Sequence, residues 1–146
     1  MSSTSIRRGS DRVPALQHAL VEDVMHPGIV SCPPQTDLVT VARTMASRHI
    51  HAVVVSGIEP TAHGEHLTWG LLTSLDLVAA ADSGADAGDV CSTEVVTIAA
   101  GEPLDRAVQL MLEHQLTHLL VLSADALPVG IVSTLDVAGC LAWGEG

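Results

Sequence analysis

The sequence predicts an α/β (α+β) protein made of two β-α-β-β-α copies of one unit. Three observations predict it. The run Gly70-Leu71-Leu72-Thr73-Ser74-Leu75-Asp76 returns 60 residues later as Gly130-Ile131-Val132-Ser133-Thr134-Leu135-Asp136. Upstream, Val24, Val30, Leu38, Met45 and Val55 return 66 residues later as Val90, Val96, Leu104, Met111 and Val121. Within each copy, short β-branched runs alternate with apolar residues at three- and four-residue spacing, the patterns of buried strands and one-sided helices.

The elements follow in order. Pro14 to Glu22 reads as a short helix, ended by Val24-Met25-His26-Pro27 because a residue before proline avoids the helical region. Ile29 to Ser31 is a strand, stopped by Pro33-Pro34. Leu38 to Arg48 is a helix that buries Leu38, Val41, Ala42 and Met45, with Thr36 or Asp37 as its cap. Ala52 to Val55 is a buried strand, Ser56 to Thr68 a polar loop, Trp69 to Leu72 a strand and Ser74 to Ala81 a helix. Asp82 to Asp89 is a Gly- and Asp-rich linker. The second copy repeats this order: strand Val95 to Ile98, helix Leu104 to Glu113, strand Leu119 to Leu122, strand Val129 to Val132, and a helix from Thr134 to about Trp143. In each copy the last two strands are expected as a hairpin. A three-stranded sheet with two helices buries its faces poorly alone, so the copies are expected to pack with pseudo-twofold symmetry into one module. The expected division is a disordered tail over 1–14, a first repeat over 15–82 and a second over 83–146.

Composition narrows the function. The chain has 146 residues, 47% of them apolar, with no Phe and no Tyr, so its core is aliphatic. Base-stacking nucleic-acid modules need aromatic platforms that it lacks. Seventeen acidic residues face six Arg and no Lys, and a net charge of -11 repels a nucleic-acid polymer. No stretch approaches the roughly 20 apolar residues that span a membrane. Met1 to Asp11 lacks the apolar segment of a signal peptide. Cys32, Cys91 and Cys140 are widely spaced and fit reduced thiols of the cytoplasm.

The polar repeat is Thr73-x-x-Asp76 and Ser133-x-x-Asp136. One account is a helix capping box. Another is a ligand site: first-turn amides and a hydroxyl hold a sugar or phosphate oxygen, and the carboxylate accepts from a ribose diol. The two are compatible. Gly70 and Gly130, in the preceding strand, let backbone or ligand approach closely.

With these residues in view, the chain resembles a tandem pair of cystathionine-β-synthase (CBS) domains, a Bateman module, over about Val21 to Trp143. The pattern Gly-apolar-x-Thr/Ser-x-x-Asp carries the resemblance in both copies. Val24-Met25-x-Pro27 and the helix ends Met45-x-x-x-x-Ile50 and Met111-x-x-x-x-Leu116 add to it. The resemblance implies two clefts between paired repeats that bind AMP, ADP, ATP or S-adenosylmethionine, with no cofactor required. It implies that Asp76 and Asp136 hold ribose and that Thr73 and Ser133 lie near ribose or phosphate. It implies base and phosphate contacts along His51, Ala52 and Val53 and along Thr117, His118 and Leu119. Ile29, Val30 and Ser31, and Val95, Val96 and Thr97, would lie beside the base. Val54 and Leu120 stand where many members carry Pro. Polyphosphate recognition recruits Arg or Lys, and only Arg43, Arg48 and Arg106 lie near these elements, which favours AMP or S-adenosylmethionine over ATP.

The expected function is a regulatory sensor; the resemblance implies a homodimer, a contact that Ala138, Gly139 and Leu141 would suit, with an unknown effector protein downstream. The alternatives are a ligand-free interaction module and a metal-responsive protein using His63 and His66 beside Glu65. Zinc needs three or four convergent ligands, and no Cys lies near that pair or near His114 and His118. No nucleophile–base arrangement and no phosphate-binding glycine loop is present, so no enzyme is expected.

Overall fold

The computed structural model describes residues 16, 18–61 and 64–143, with backbone alone for 58–61 and 64–68. The expected tail over 1–14 and His63 lie outside them. The elements are α1 (Val21–Val24), β1 (His26–Pro27), β2 (Ser31–Cys32), α2 (Leu38–Arg48), β3 (Ala52–Thr61), β4 (Gly64–Thr73), α3 (Ser74–Ala79), α4 (Ala87–Val90), β5 (Thr97–Ala99), α5 (Leu104–His114), β6 (His118–Leu122), β7 (Pro128–Ser133) and α6 (Thr134–Trp143).

The two long helices form where the spacing predicts them. Helix α2 buries Leu38, Val41 and Met45, and α5 buries Leu104, Ala107 and Met111. Asp37 caps α2 by accepting the Thr40 amide at 2.7 Å, while the Thr36 hydroxyl donates to the Pro33 carbonyl instead. Both helices stop at a left-handed residue, His49 and Gln115, each with φ 54°. In both, the residue after it donates back to the methionine carbonyl, Ile50 to Met45 and Leu116 to Met111. This six-to-one bond closes the helix end without a glycine.

The chain divides into two compact units, and these are not the two sequence copies. A central unit holds Ile29–Val95; a flanking unit holds the chain up to Gly28 and from Val96 onward. The central sheet has the order β2-β3-β4, with β2 parallel to β3 and β3 antiparallel to β4. The flanking sheet has the order β1-β7-β6-β5, with β5 parallel to β6 and β6 antiparallel to β7. The predicted strand–helix–strand–hairpin order therefore holds in both.

What separates units from copies is an exchange of lead-in segments. In the flanking unit, the Val21 and Glu22 amides donate to the Glu102 and Ala100 carbonyls, and β1 pairs with β7. In the central unit, the Ala87 and Gly88 amides donate to Thr36 and Pro34, and Ser92 bridges Leu71. These are the same bonds at equivalent positions. Val21 and Ala87, also equivalent, are both fully buried. Each copy's lead-in is thus built into the unit that holds the other copy's sheet.

Several expected boundaries move. Of the expected helix over Pro14 to Glu22, Leu16 and His18 are helical and residues 14, 15 and 17 lie outside the described residues; a separate short helix spans Val21–Val24, and part of the expected linker is α4, begun by a capping box between Asp86 and Asp89. Strand β2 begins at Ser31 rather than Ile29, and β5 at Thr97 rather than Val95. The polar loop over Ser56 to Thr68 is instead the far end of a hairpin whose register runs to Thr61 opposite Gly64. Pro60 is tolerated there because β2 pairs only with Val54 and Val55, leaving this part of β3 at the sheet edge.

Both cores are aliphatic. Leu72, Val41, Val53 and Val54 are fully buried in the central unit, and Leu104, Leu119, Leu120, Val121 and Val132 in the flanking unit. Two glycines admit the exchanged segments. A Cβ at Gly130 would stand 2.6 Å from Met25 Sδ and 2.7 Å from the His26 carbonyl oxygen. A Cβ at Gly70 would stand 2.6 Å from Cys91 Sγ, with the nearest backbone atom at 3.3 Å. Met25 and Cys91 are equivalent residues of the two lead-ins.

Gly130→Ala is expected to lower stability by about 1–3 kcal/mol, the usual range for overpacking, because it meets a backbone oxygen. Gly70→Ala meets only a side-chain end at that distance, so Cys91→Ala is expected to restore most of its loss in a double-mutant cycle followed by urea unfolding. A second expectation concerns Asp37, whose carboxyl is held below its ordinary value by the Thr40 amide, then by the Thr40 hydroxyl, against an opposing effect of burial. A carboxyl held low in the fold stabilises above its unfolded-state value, about 3.9, and loses that effect as pH falls through the folded value. The stability gap between the wild type and Asp37→Asn should be level at neutral pH and narrow below about pH 4, in urea titrations run at each pH.

Candidate functional site

In the central unit, β4 runs directly into α3, and Thr73 is the last strand residue and the helix cap. The Thr73 amide and hydroxyl donate to Asp76 Oδ2 at 3.0 and 2.9 Å. The Asp76 amide returns a bond to the Thr73 hydroxyl oxygen at 3.3 Å. This is a complete capping box. Ser133 and Asp136 repeat it in the flanking unit at 2.8, 3.0 and 3.2 Å. In both, Oδ2 carries the protein bonds, and Oδ1 accepts none from the described residues. All four side chains are half-buried.

Sheet register gathers the other expected residues at the same end. In the central unit, Ala52 lies opposite Thr73 and the Ser74 amide donates to the His51 carbonyl at 2.7 Å. The Val54 amide donates to Val30 at 2.9 Å, and Ser31 lies beside Val54. Ile29, Val30, Ser31, His51, Ala52 and Val53 thus reach the sheet end that carries Thr73 and Asp76. In the flanking unit, His118 lies opposite Ser133, the Thr134 amide donates to the Thr117 carbonyl at 2.9 Å, and the Leu120 amide donates to Val96 at 3.1 Å. Thr97 lies beside Leu120. Val95 precedes Val96 directly and is the last residue of the central unit. The side chains of Ala52, Val53 and Leu119 are buried, so these positions offer backbone to any ligand. His51 and Thr117 are exposed, and the Thr117 hydroxyl lies 2.8 Å from His118 Nδ1.

The glycines admit a close approach, as expected, and backbone is among what approaches. Gly70 and Gly130 are approached by Cys91 and Met25, so the close approach is made by the protein's own lead-in segments.

A concavity of about 230 Å³ lies in the central unit, lined by Val30, Ser31, Cys32, Pro33, Thr36, Thr40, Val41, Thr44 and Val53. Three of these were expected at the base side; the threonines and Cys32 were not. The signal was present in the chain, because equivalent positions in the second copy carry different residues. Burial pushes the Cys32 thiol up, against the Thr36 hydroxyl, which favours the thiolate. Burial likewise raises Cys91, with Cys32 and the Asp76 and Asp89 carboxylates adding to it. Both remain neutral thiols at pH 7. Among the described residues, no group of three His, Cys, Asp or Glu converges on a metal position. His63, of the expected metal pair, lies outside them. No described helix is long and apolar enough to cross a membrane.

Among curated proteins, none matches the chain in sequence. Solved structures do match its fold. The CBS domain pair of protein MJ0100, in complex with 5'-methylthioadenosine and S-adenosyl-L-methionine, shares 21% identity at a TM-score of 0.71, over 85% of this chain and 96% of that one. An uncharacterized conserved protein from Pyrococcus horikoshii shares 18% at 0.72, over 89% and 97%. CBSX2, in complex with AMP, shares 21% at 0.63, over 84% and 96%. The sequence model of the CBS domain matches twice, over residues 21–83 and 87–142. Two matches in tandem, on two sheets of the expected topology, make this chain a member of the CBS domain family.

Proposed function

We propose that this protein is a regulatory binding module for an adenosyl ligand, with Asp76 and Asp136 each accepting from a ribose diol. The observation that carries this reading is the Oδ1 of each carboxylate, which accepts no bond from the described residues. The capping box fixes Oδ2 and so orients a second acceptor at the sheet end where the base-side strand also lies. The ligands bound in two similar structures, AMP in CBSX2 and 5'-methylthioadenosine with S-adenosyl-L-methionine in MJ0100, support the same class of ligand. The shortage of cations favours AMP or S-adenosylmethionine over ATP. The carboxylates sit in separate copies and each serves its own helix cap, which suits binding rather than catalysis.

A thermal-shift panel of AMP, ADP, ATP, S-adenosylmethionine and NAD tests this. A ligand at 100 times its dissociation constant should add about 2.7 kcal/mol. Asp76→Ala and Asp136→Ala, made singly, should each weaken binding at the site they serve. A panel in which nothing raises the melting temperature overturns the proposal.

We further propose that α6 meets a second copy of the chain. Leu135, Leu141 and Trp143 are 67%, 51% and 86% exposed on this one helix, and Ala138 is exposed between them. Leu141→Asp should shift the protein from dimer to monomer in analytical ultracentrifugation; a wild type that sediments as a monomer refutes the contact.

A further inference from the structure

The two sheets differ at one edge. Strand β4 is the outer strand of the central sheet, whose order is β2-β3-β4. The Leu71 and Ser92 amides each donate to the other's carbonyl at 2.9 Å, so Leu71 turns both backbone groups outward, away from β3. Outward and inward residues alternate along an antiparallel strand. The register of β3 with β4 runs from Ala52 opposite Thr73 to Thr61 opposite Gly64 without a shift. Trp69, Leu67 and Glu65 therefore also present their amides and carbonyls outward, while Thr68 and His66 turn theirs to Gly57 and Glu59 across the hairpin. The other edge of this hairpin is blunted. Of the β3 residues that face outward there, Ser56, Ile58 and Pro60, the last has no amide to offer.

The flanking unit shows what such an edge takes. There β1 covers β7, with His26 opposite Ile131 and Pro27 opposite Gly130, and the Gly28 amide donates to the Val129 carbonyl at 2.9 Å. The cover thus reaches to within one residue of Pro128, where β7 begins. In the central unit, Trp69 and Glu94 hold the positions equivalent to Val129 and Gly28. Among the described residues, no backbone bond joins these two. Gly28 turns at φ 84°, a conformation that glycine adopts freely and glutamate does not. The central lead-in covers Leu71, and no described strand covers β4 beyond it, although β4 continues to Gly64.

We infer that the outer edge of β4, from Trp69 to Glu65, is a docking edge for an extended, cationic segment of another protein, which adds to the sheet antiparallel to β4 in line with Ser92. Its form follows from the segments that such edges already hold, Ser92 on Leu71 and β1 on β7, both antiparallel. Main-chain bonds give strand addition its affinity, and alternate side chains its specificity. Its charge follows from the edge. Glu65 lies on it, the exposed Glu94 follows Ser92 by two residues, and the whole chain carries a net charge of -11. Alternation along the added strand sets apolar residues on the face that Leu67 and Trp69 share with the buried Leu71. A second copy would bring the same acids to the edge and is the poorer occupant.

The test is amide hydrogen exchange of the full ¹⁵N-labelled chain, read by NMR. The probe is acetyl-Lys-Val-Lys-Val-Lys-Val-Lys-amide, and the control is the same peptide with Glu in place of Lys. In dilute protein alone, the Glu65, Leu67 and Trp69 amides should exchange faster than those of His66 and Thr68. The lysine peptide should slow these outward amides and leave His66 and Thr68 as they were; the glutamate peptide should slow none. Leu67→Pro removes an outward amide and no bond of the hairpin, as Pro60 does naturally on β3. It should weaken the lysine peptide about tenfold, as for one lost hydrogen bond. Glu65→Pro, whose amide also faces outward, serves in its place should Leu67→Pro fail to melt cooperatively. The inference is overturned if the outward amides are already as slow as their neighbours in dilute protein, or if the lysine peptide leaves them unchanged. It is equally overturned if the two peptides protect alike, or if both proline variants bind like the wild type. Protection that grows with protein concentration alone also overturns it, by making a second copy the occupant.

Discussion

The fold depends on two places where a sulfur side chain lies over a glycine. Met25 covers Gly130 and Cys91 covers Gly70, and each sulfur belongs to a lead-in segment borrowed from the other copy. The contact is tight enough that a single methyl group has no room. Around it the same backbone bonds recur at equivalent positions, and Val21 and Ala87 are buried without exposed surface. Each unit thereby gains apolar cover that a three-stranded sheet with two helices does not supply alone. The exchange also obliges the chain to complete the flanking unit only after the central one has been traversed.

The same economy governs the ends of β4 and β7. A strand that passes directly into a helix leaves first-turn amides without partners. Thr73 with Asp76, and Ser133 with Asp136, satisfy them reciprocally. Such a cap uses one carboxylate oxygen and fixes the direction of the other. Preorganisation of this kind lowers the ordering cost of binding, since the acceptor is held before any ligand arrives. The cap and the proposed ribose contact therefore use different oxygens of one side chain.

Local periodicity made α2 and α5 legible, because Leu38, Val41 and Met45 and their counterparts lie on one face whatever surrounds them. The predicted hairpins and parallel pairs followed from strand order. The hairpin's length did not, since Gly57, Pro60 and Gly64 read as breakers, whereas an edge position tolerates proline. Strand starts slipped because Val30 and Val96 each supply only a carbonyl to the neighbouring strand. The exchange of lead-ins was invisible to any local pattern, being decided by which sheet Met25 and Cys91 reach. At the site, the residues of Thr73-x-x-Asp76 and Ser133-x-x-Asp136 were found by repetition, while the threonines lining the concavity were missed for the opposite reason, as they do not repeat.

That contrast separates what duplication preserves from what it releases. Gly70 and Gly130 repeat because a lead-in passes over each. The hydroxyl and acid repeat because each helix must be capped. Positions free of such duties have diverged: Thr40 corresponds to Arg106 in the second copy, Thr44 to Leu110, and Cys32 to Ile98. The second copy thus carries two apolar side chains and a cation where the first carries a thiol and two hydroxyls. On the proposed reading, two halves that share a capping box but differ in these residues differ in their affinity for one ligand. A difference in affinity between states or sites is what lets occupancy carry a signal, because a ligand shifts an equilibrium only by its differential binding. In this chain the repeated residues serve the caps and the lead-in contacts, and on the proposed reading the unrepeated ones make the two halves unequal toward a ligand.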